Sequence, residues 1–181
     1  MRMRLFCLVL GVLLVPTLAR ADDHWADLYA AFSGGGGASK LFGFHEAVAK
    51  GPARSASTNL KKLSFVLSDL SVHFGSHDDG TDVTQVTFLF GGRYTLLKPE
   101  HKAKVSFHGL LGGVNTNDGG NKNTDFAGAV GFGVEYIPTP QDPNPAKAIG
   151  IRAQVDRVFR KGDREDFWRI SGGIFYRIGQ H

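Results

Sequence analysis

The most constraining feature of the sequence is a regular alternation of side chains over residues 167–179. One parity is apolar and has an aromatic residue near each end, Trp168 and Tyr176. The other parity carries two arginines, Arg169 and Arg177. Alternate side chains of a β-strand lie on opposite faces, so the segment predicts a strand with one apolar and one charged face. This arrangement suits a strand with lipid on one side and a polar barrel interior on the other.

Similar alternation recurs along the chain and predicts eight strands. They cover residues 27–33, 41–50, 61–75, 83–97, 103–115, 125–137, 148–160 and 166–179. The segment 41–50 is ambiguous, because its sequence also permits a short helix. Sheet edges left open in hydrocarbon would leave backbone groups unpaired, so the sheet must close. The predicted fold is all-β: an eight-stranded antiparallel up-and-down transmembrane β-barrel.

The first residues have the organisation of a secretory signal. A basic start, the apolar run Leu5–Val15 and an Ala-Arg-Ala cleavage site predict that residues 1–21 are removed. We expect residues 22–181 to form a single β-barrel domain. The only cysteine, Cys7, lies in the predicted signal. The domain is therefore expected to contain no disulfide and no cysteine-bound metal.

Charge and hydropathy exclude two classes of protein. The formal net charge is +4, and three arginines belong to the predicted signal, which leaves the remainder close to neutral. No dense run of lysine and arginine occurs, so nucleic-acid binding is not expected. No later stretch approaches about eighteen consecutive apolar residues, so no transmembrane helix is expected.

The connections between the predicted strands are of two kinds. Those that follow odd-numbered strands are rich in Gly, Asn and Asp, whereas those that follow even-numbered strands hold every proline after the signal. Both compositions form turns. In an up-and-down barrel the two sets lie at opposite ends, which we call the odd rim and the even rim. With a periplasmic N-terminus, the odd rim faces outward, and its predicted loops are roughly five to ten residues long.

The polar parity of the predicted strands carries charges that would lie inside the barrel. They are Asp69, Arg93, Glu135, Arg152, Asp156, Arg169 and Arg177. An unpaired buried charge is very costly, so we predict a lumenal ion-pair network. Eight strands leave an interior that side chains can fill. A narrow ion path or a gate is the alternative for the same residues.

The apolar parity supplies the predicted lipid-facing aromatic belt. Its members are Phe88, Tyr94, Phe132, Tyr136, Trp168 and Tyr176. Trp168 and Tyr176 are separated by a distance of roughly 20 Å along the barrel axis, close to the spacing of the aromatic girdles of outer-membrane barrels.

Several segments, taken in order, resemble the small OmpA/OmpX-like outer-membrane barrels. Residues 65–76 (FVLSDLSVHFGS) are similar to a recurring V-A-D-F-S-x-H-Y-G segment, and residues 88–94 (FLFGGRY) to its partner F-L-F-G-P-R-F. Residues 154–156 and 169–175 look like the last two strands of that family. The segment 41–50 has no good match. The resemblance implies a bacterial outer-membrane barrel.

The resemblance also implies an assembly signal of the form G-x-x-Φ-x-Φ near the C-terminus. Gly173, Tyr176 and Ile178 fit this pattern, but Gly179–His181 stand where the usual terminal Phe is expected. The implied partners are outer-membrane lipid and, during biogenesis, the barrel-assembly machinery. We expect a monomer without a cofactor.

The predicted role is structural or interactive rather than enzymatic. Ser106, His108, Asp69 and His73 include the residue types of Ser-His-Asp hydrolysis, but their parity places them in the lumen. His73 and His77 are four residues apart but not on a helix, so no metal site is expected. The alternatives are a soluble periplasmic lipocalin-like binding barrel and a lipid A-modifying outer-membrane enzyme.

Overall fold

Eight antiparallel strands close into a single barrel in the computed structural model, which describes residues 26–36, 40–51, 63–96, 102–138, 147–161 and 165–178. The strands are β1 (Ala26–Gly36), β2 (Lys40–Lys50), β3 (Leu63–Ser76), β4 (Asp82–Thr95), β5 (Ala103–Asp118), β6 (Asn121–Tyr136), β7 (Lys147–Arg160) and β8 (Phe167–Ile178). Each strand pairs with its neighbours in sequence, and β1 pairs with β8. The predicted fold class, an all-β up-and-down barrel of eight strands, is confirmed. The predicted signal, residues 1–21, lies outside the described residues.

The segment 41–50, which the sequence left ambiguous, forms strand β2. It pairs with β1 on one side and β3 on the other, and Phe44 lies opposite Phe32 of β1 and Val72 of β3. Its outward side chains include Phe42 and Phe44, whereas His45 points into the barrel. The described residues contain no helix that is long and apolar enough to cross a membrane.

A β-bulge in β3 explains why the first half of that strand does not alternate cleanly. Val66 pairs with Gly91 and Asp69 with Leu89, so Leu67 and Ser68 together face one residue of β4. Because of the extra residue, even-numbered side chains of β3 face inward before the bulge and odd-numbered ones after it. Val66 and Asp69 are therefore both buried, although they are three positions apart.

The odd rim is tighter than predicted at one hairpin. β5 and β6 extend to Asp118 and Asn121 and are joined by Gly119 and Gly120, at φ angles of 55° and 92°. Two consecutive positive φ angles form the two-residue turn that matches the twist of a hairpin. The predicted strands, which ended at 115 and began at 125, were too short here, because glycine at both turn positions lets the ladder continue.

The other described hairpin of this rim joins β3 to β4. The Asp79 carboxylate accepts a hydrogen bond of 2.9 Å from the backbone N–H of Thr81. This bond lowers the pKa of the Asp79 carboxyl below its usual value. Gly80, at a φ of 83°, lets the chain reverse direction.

The distribution of side chains is the reverse of that in a soluble barrel. Large apolar side chains project outward, and Phe32 is 74% exposed. Arginines and carboxylates point inward, and Arg169 and Asp156 are completely buried. Water normally drives apolar groups inside. The inverted distribution suits an apolar solvent outside and a polar interior.

Candidate functional site in the barrel interior

Charged side chains of the interior form two clusters. The first, which we call the even-rim cluster, consists of Asp27, Arg93, Glu135, Arg152 and Arg177. The Asp27 carboxylate accepts from Arg177 at 2.6 Å, from Arg93 at 3.0 Å and from Arg152 at 3.1 Å. Glu135 pairs with the same arginines, most closely with Arg152 at 2.7 Å. Two carboxylates are thus shared by three guanidinium groups.

The second cluster, which we call the central cluster, consists of Arg169, Asp69, Asp156, His45 and His108. Arg169 lies 2.6 Å from the Asp69 carboxylate and 2.7 Å from the Asp156 carboxylate. Each carboxylate also meets a histidine: His45 at 2.9 Å from Asp69, and His108 at 2.5 Å from Asp156. One arginine therefore bridges two carboxylates, and a histidine contacts the other oxygen of each carboxylate.

Sheet register explains some of these pairs. Asp156 and Arg169 are directly opposite on β7 and β8, as are Glu135 and Arg152 on β6 and β7. Residues opposite each other on one face of a sheet have side chains close enough to interact. Other pairs cross the interior: Arg169 of β8 reaches Asp69 of β3, 100 positions away in sequence. The crossing bonds tie opposite walls of the barrel together.

Neutral groups and rings connect the two clusters. The Ser171 hydroxyl lies 3.0 Å from His45 Nδ1 and 3.3 Å from the Tyr29 hydroxyl. The Arg152 guanidinium lies over the ring of Tyr29, 4.9 Å from its centroid. The cation–π contact places Tyr29 between the central cluster and the even-rim cluster.

All seven charged residues that were predicted to face the lumen lie inside the barrel, and each makes an ion pair. The even-rim cluster contains Arg93, Glu135, Arg152 and Arg177, and the central cluster contains Asp69, Asp156 and Arg169. Sequence reasoning missed Asp27 and His45. Asp27 shares its parity with Tyr29, Ala31 and Ser33, opposite the apolar parity that contains Phe32, so alternation in β1 would have revealed it. His45 was missed because β2 was not securely predicted as a strand.

The residues considered for hydrolysis do not form a relay. The Ser106 hydroxyl donates to the Gly133 carbonyl at 3.5 Å, and His108 bonds Asp156 instead of Ser106. His73 Nε2 lies 2.8 Å from the Ser33 hydroxyl. Within the described part of the chain, no group of three His, Cys, Asp or Glu side chains is placed to hold a metal ion.

The aromatic residues predicted for the belt all lie on the outer face. Phe88, Tyr94, Phe132, Tyr136 and Trp168 are exposed, and Tyr176 is half-buried. The three tyrosines lie near the even rim, whereas Trp168 lies near the odd rim.

The predicted assembly signal lies in β8. Gly173 packs against the backbone of Ala30 and Ala31 of β1, and a Cβ atom at this position would overlap them. Tyr176 and Ile178 face outward next to the even rim. Residues 179–181 lie outside the described residues, and recognition of the signal stays a prediction.

The closed eight-stranded barrel with apolar outer and charged inner faces has the fold of the small OmpA/OmpX-like outer-membrane barrels. Among solved structures, it is similar to Neisserial surface protein A, with a TM-score of 0.57 and 14% identity over 86% of this chain and 96% of that one. It is also similar to Ail, the attachment invasion locus protein of Yersinia pestis, with a TM-score of 0.52 and 16% identity over 87% of this chain and 100% of that one. No family model and no curated protein matches the sequence.

Proposed function

We propose that the protein is a bacterial outer-membrane β-barrel whose lumen is filled by side chains, with a structural or interaction role rather than a catalytic one. The observation that carries the proposal is the inversion of the two faces. Phe32, Ile174 and many other large apolar side chains are exposed on the outside, while the eight arginine and carboxylate side chains of the two clusters are at most 5% exposed. Water around such an outer face would be strongly unfavourable, whereas hydrocarbon is a suitable solvent.

Ion pairing supports the filled lumen. Arginines of the even-rim cluster and Arg169 of the central cluster reach across the interior to carboxylates on other strands. Moving one of these side chains aside to open a path would separate a buried ion pair, which costs several kcal/mol. The network therefore favours a closed interior over a conducting one.

A soluble lipocalin-like barrel requires the opposite arrangement, an apolar cavity and a polar surface. The interior here contains Asp27, Arg169 and Asp156 at complete or nearly complete burial. A lipid A-modifying enzyme requires reactive side chains at the lipid face or outer rim, but Ser106 and His108 point inward. Neither alternative has an observation in its favour.

Cell fractionation tests the location. The full-length chain, expressed in a Gram-negative host, is expected in the outer-membrane fraction after washing with urea or carbonate. An unboiled sample is expected to migrate differently from a boiled one on a denaturing gel. Recovery in the soluble periplasm would contradict the proposal.

Planar-bilayer conductance tests the filled lumen separately. The purified barrel is expected to give no stable large conductance steps. Regular large steps would exclude a filled lumen while leaving the outer-membrane location intact.

A further inference from the structure

A patch of polar side chains in the odd-rim half of the interior lacks partners. In the described residues, the unpartnered buried atoms there are His73 Nδ1, Gln85 Nε2, Thr87 Oγ1, Thr116 Oγ1 and Asp125 Oδ2. We call these five residues the odd-rim patch. Buried polar groups of native proteins nearly always find a partner, so such a concentration requires an explanation.

Strand register makes the odd-rim patch continuous. His73 of β3 lies opposite Gln85 of β4, and Gln85 lies opposite Thr116 of β5. In the adjacent row, Val114 of β5 lies opposite Thr87 of β4 on one side and opposite Asp125 of β6 on the other. The unpartnered groups thus line one wall that covers four consecutive strands.

Burial makes the missing partners costly. The side chains of Gln85, Thr87, Thr116 and Asp125 are each at least nine-tenths buried. A buried polar group without a partner costs about 1–3 kcal/mol. Several neighbouring groups of this kind favour a bound species that supplies the missing contacts.

The charge of the odd-rim patch indicates which species fits. Asp125 is its acidic residue, and one Asp125 oxygen accepts from the Asn123 amide at 3.3 Å while the other has no partner. The two hairpins above the patch carry four further carboxylates, compared with two basic side chains, His77 and Lys122. These carboxylates belong to Asp78, Asp79, Asp82 and Asp118. A rim of this composition attracts cations and concentrates them near the opening.

The patch is also close to that opening. The described pairing of β6 with β7 ends at Ala127 and Arg160, with one further hydrogen bond from the Lys161 N–H to the Phe126 carbonyl, so residues 121–125 extend past the described end of that ladder. Asp125 lies at the inner end of this extension of β6.

We propose that the odd-rim patch binds a hard, oxygen-preferring cation, with calcium as the probe. The Asp125 carboxylate supplies the charge, and the Thr87 and Thr116 hydroxyls supply neutral ligands. Gln85 adds an oxygen when its amide is turned, since amide N and O atoms occupy nearly the same space. His73 hydrogen-bonds a water of the cation. One carboxylate with neutral oxygens is a weak donor set, suited to calcium binding at about 10⁻⁴–10⁻³ M.

NMR spectroscopy of the full barrel, folded in detergent micelles, tests the site. Calcium chloride is titrated and compared with choline chloride at equal ionic strength. Backbone amides of Thr87, Thr116 and Asp125 are expected to shift saturably, with a millimolar or submillimolar midpoint, in calcium alone. Equal shifts in choline, or no saturable shift, would overturn the proposal.

Three variants locate the binding. Asp125→Asn keeps the shape of the side chain and removes its charge, and is expected to weaken binding at least about tenfold. Thr116→Val removes one ligand and is expected to weaken it about three- to tenfold. Glu165→Gln removes an exposed carboxylate of the β7–β8 connection and is expected to have no effect. Unchanged binding in Thr116→Val, or in a folded Asp125→Asn protein, would refute the assignment.

Discussion

Replacing Arg169 with methionine removes the cation shared by Asp69 and Asp156. Arg169 is completely buried, and its guanidinium lies within 2.7 Å of both carboxylates. Methionine keeps a long unbranched side chain, so the main loss is charge. Removing one partner of a buried ion pair destabilises a protein by about 3–5 kcal/mol. We expect a loss in this range, because two carboxylates lose the same cation while His45 and His108 remain beside them.

Urea unfolding of the barrel in phospholipid vesicles, followed by circular dichroism, measures this loss. Arg157→Met is the matched control: Arg157 is 33% exposed on β7, pairs with Asp166 at 3.6 Å and lies 5.4 Å from the Trp168 ring centroid. Loss of these partly exposed contacts is expected to lower the free energy of unfolding of the Arg157→Met protein by about 1–2 kcal/mol.

A second substitution separates charge from packing. Adding Asp69→Asn to Arg169→Met is expected to recover at least about 1 kcal/mol, because fewer buried charges stay unpaired. The reasoning is refuted if Arg169→Met is no more destabilising than Arg157→Met. It is equally refuted if Asp69→Asn destabilises the Arg169→Met protein further.

Three further predictions concern stability in the same vesicle assay. Gly131→Ala is expected to destabilise by about 1–3 kcal/mol, because its Cβ would overlap Asp156 and His108, whereas Gly172→Ala, with open space around it, should be nearly neutral. Ile174→Arg, on the outer face, should cost about 2–4 kcal/mol, against about 0–1 for Ser76→Arg at the odd rim. Glu46 lies on the outer face midway along β2, and Glu46→Leu should stabilise by about 1–2 kcal/mol. Equal costs within either pair, or a destabilising Glu46→Leu, would contradict these assignments.

The strand faces of β4 to β8 could be predicted because their alternation is local. Trp168 and Arg169 are adjacent in sequence, and a strand must send them to opposite sides. Once one side is apolar and the other charged, the inward residues follow without knowledge of the neighbours. The bulge in β3 could not be predicted in this way. It depends on how Val66 and Asp69 align with β4, which is a property of two strands.

The contacts across the lumen could not be predicted from the sequence for a similar reason. Alternation places Arg169 and Asp69 inside, but their heights and directions depend on the tilt and stagger of all the strands. The pairing of Arg93 with Asp27 across the interior has the same origin. The odd-rim patch is likewise visible only when Gln85, Thr116 and Asp125 are placed on neighbouring strands.

Spin-label accessibility in lipid vesicles tests most directly the claim that the apolar face contacts lipid. Single cysteines at Val130, Ile170 and Ile174, in a chain with Cys7 replaced by serine, carry the labels, with Ser76 as the rim control. These three positions project from the outer face, and Ser76 ends β3 at the odd rim. We predict that the three labels are accessible to oxygen and protected from a water-soluble nickel complex, whereas the Ser76 label reaches the nickel complex. Equal nickel accessibility at all four positions would contradict a membrane-embedded barrel.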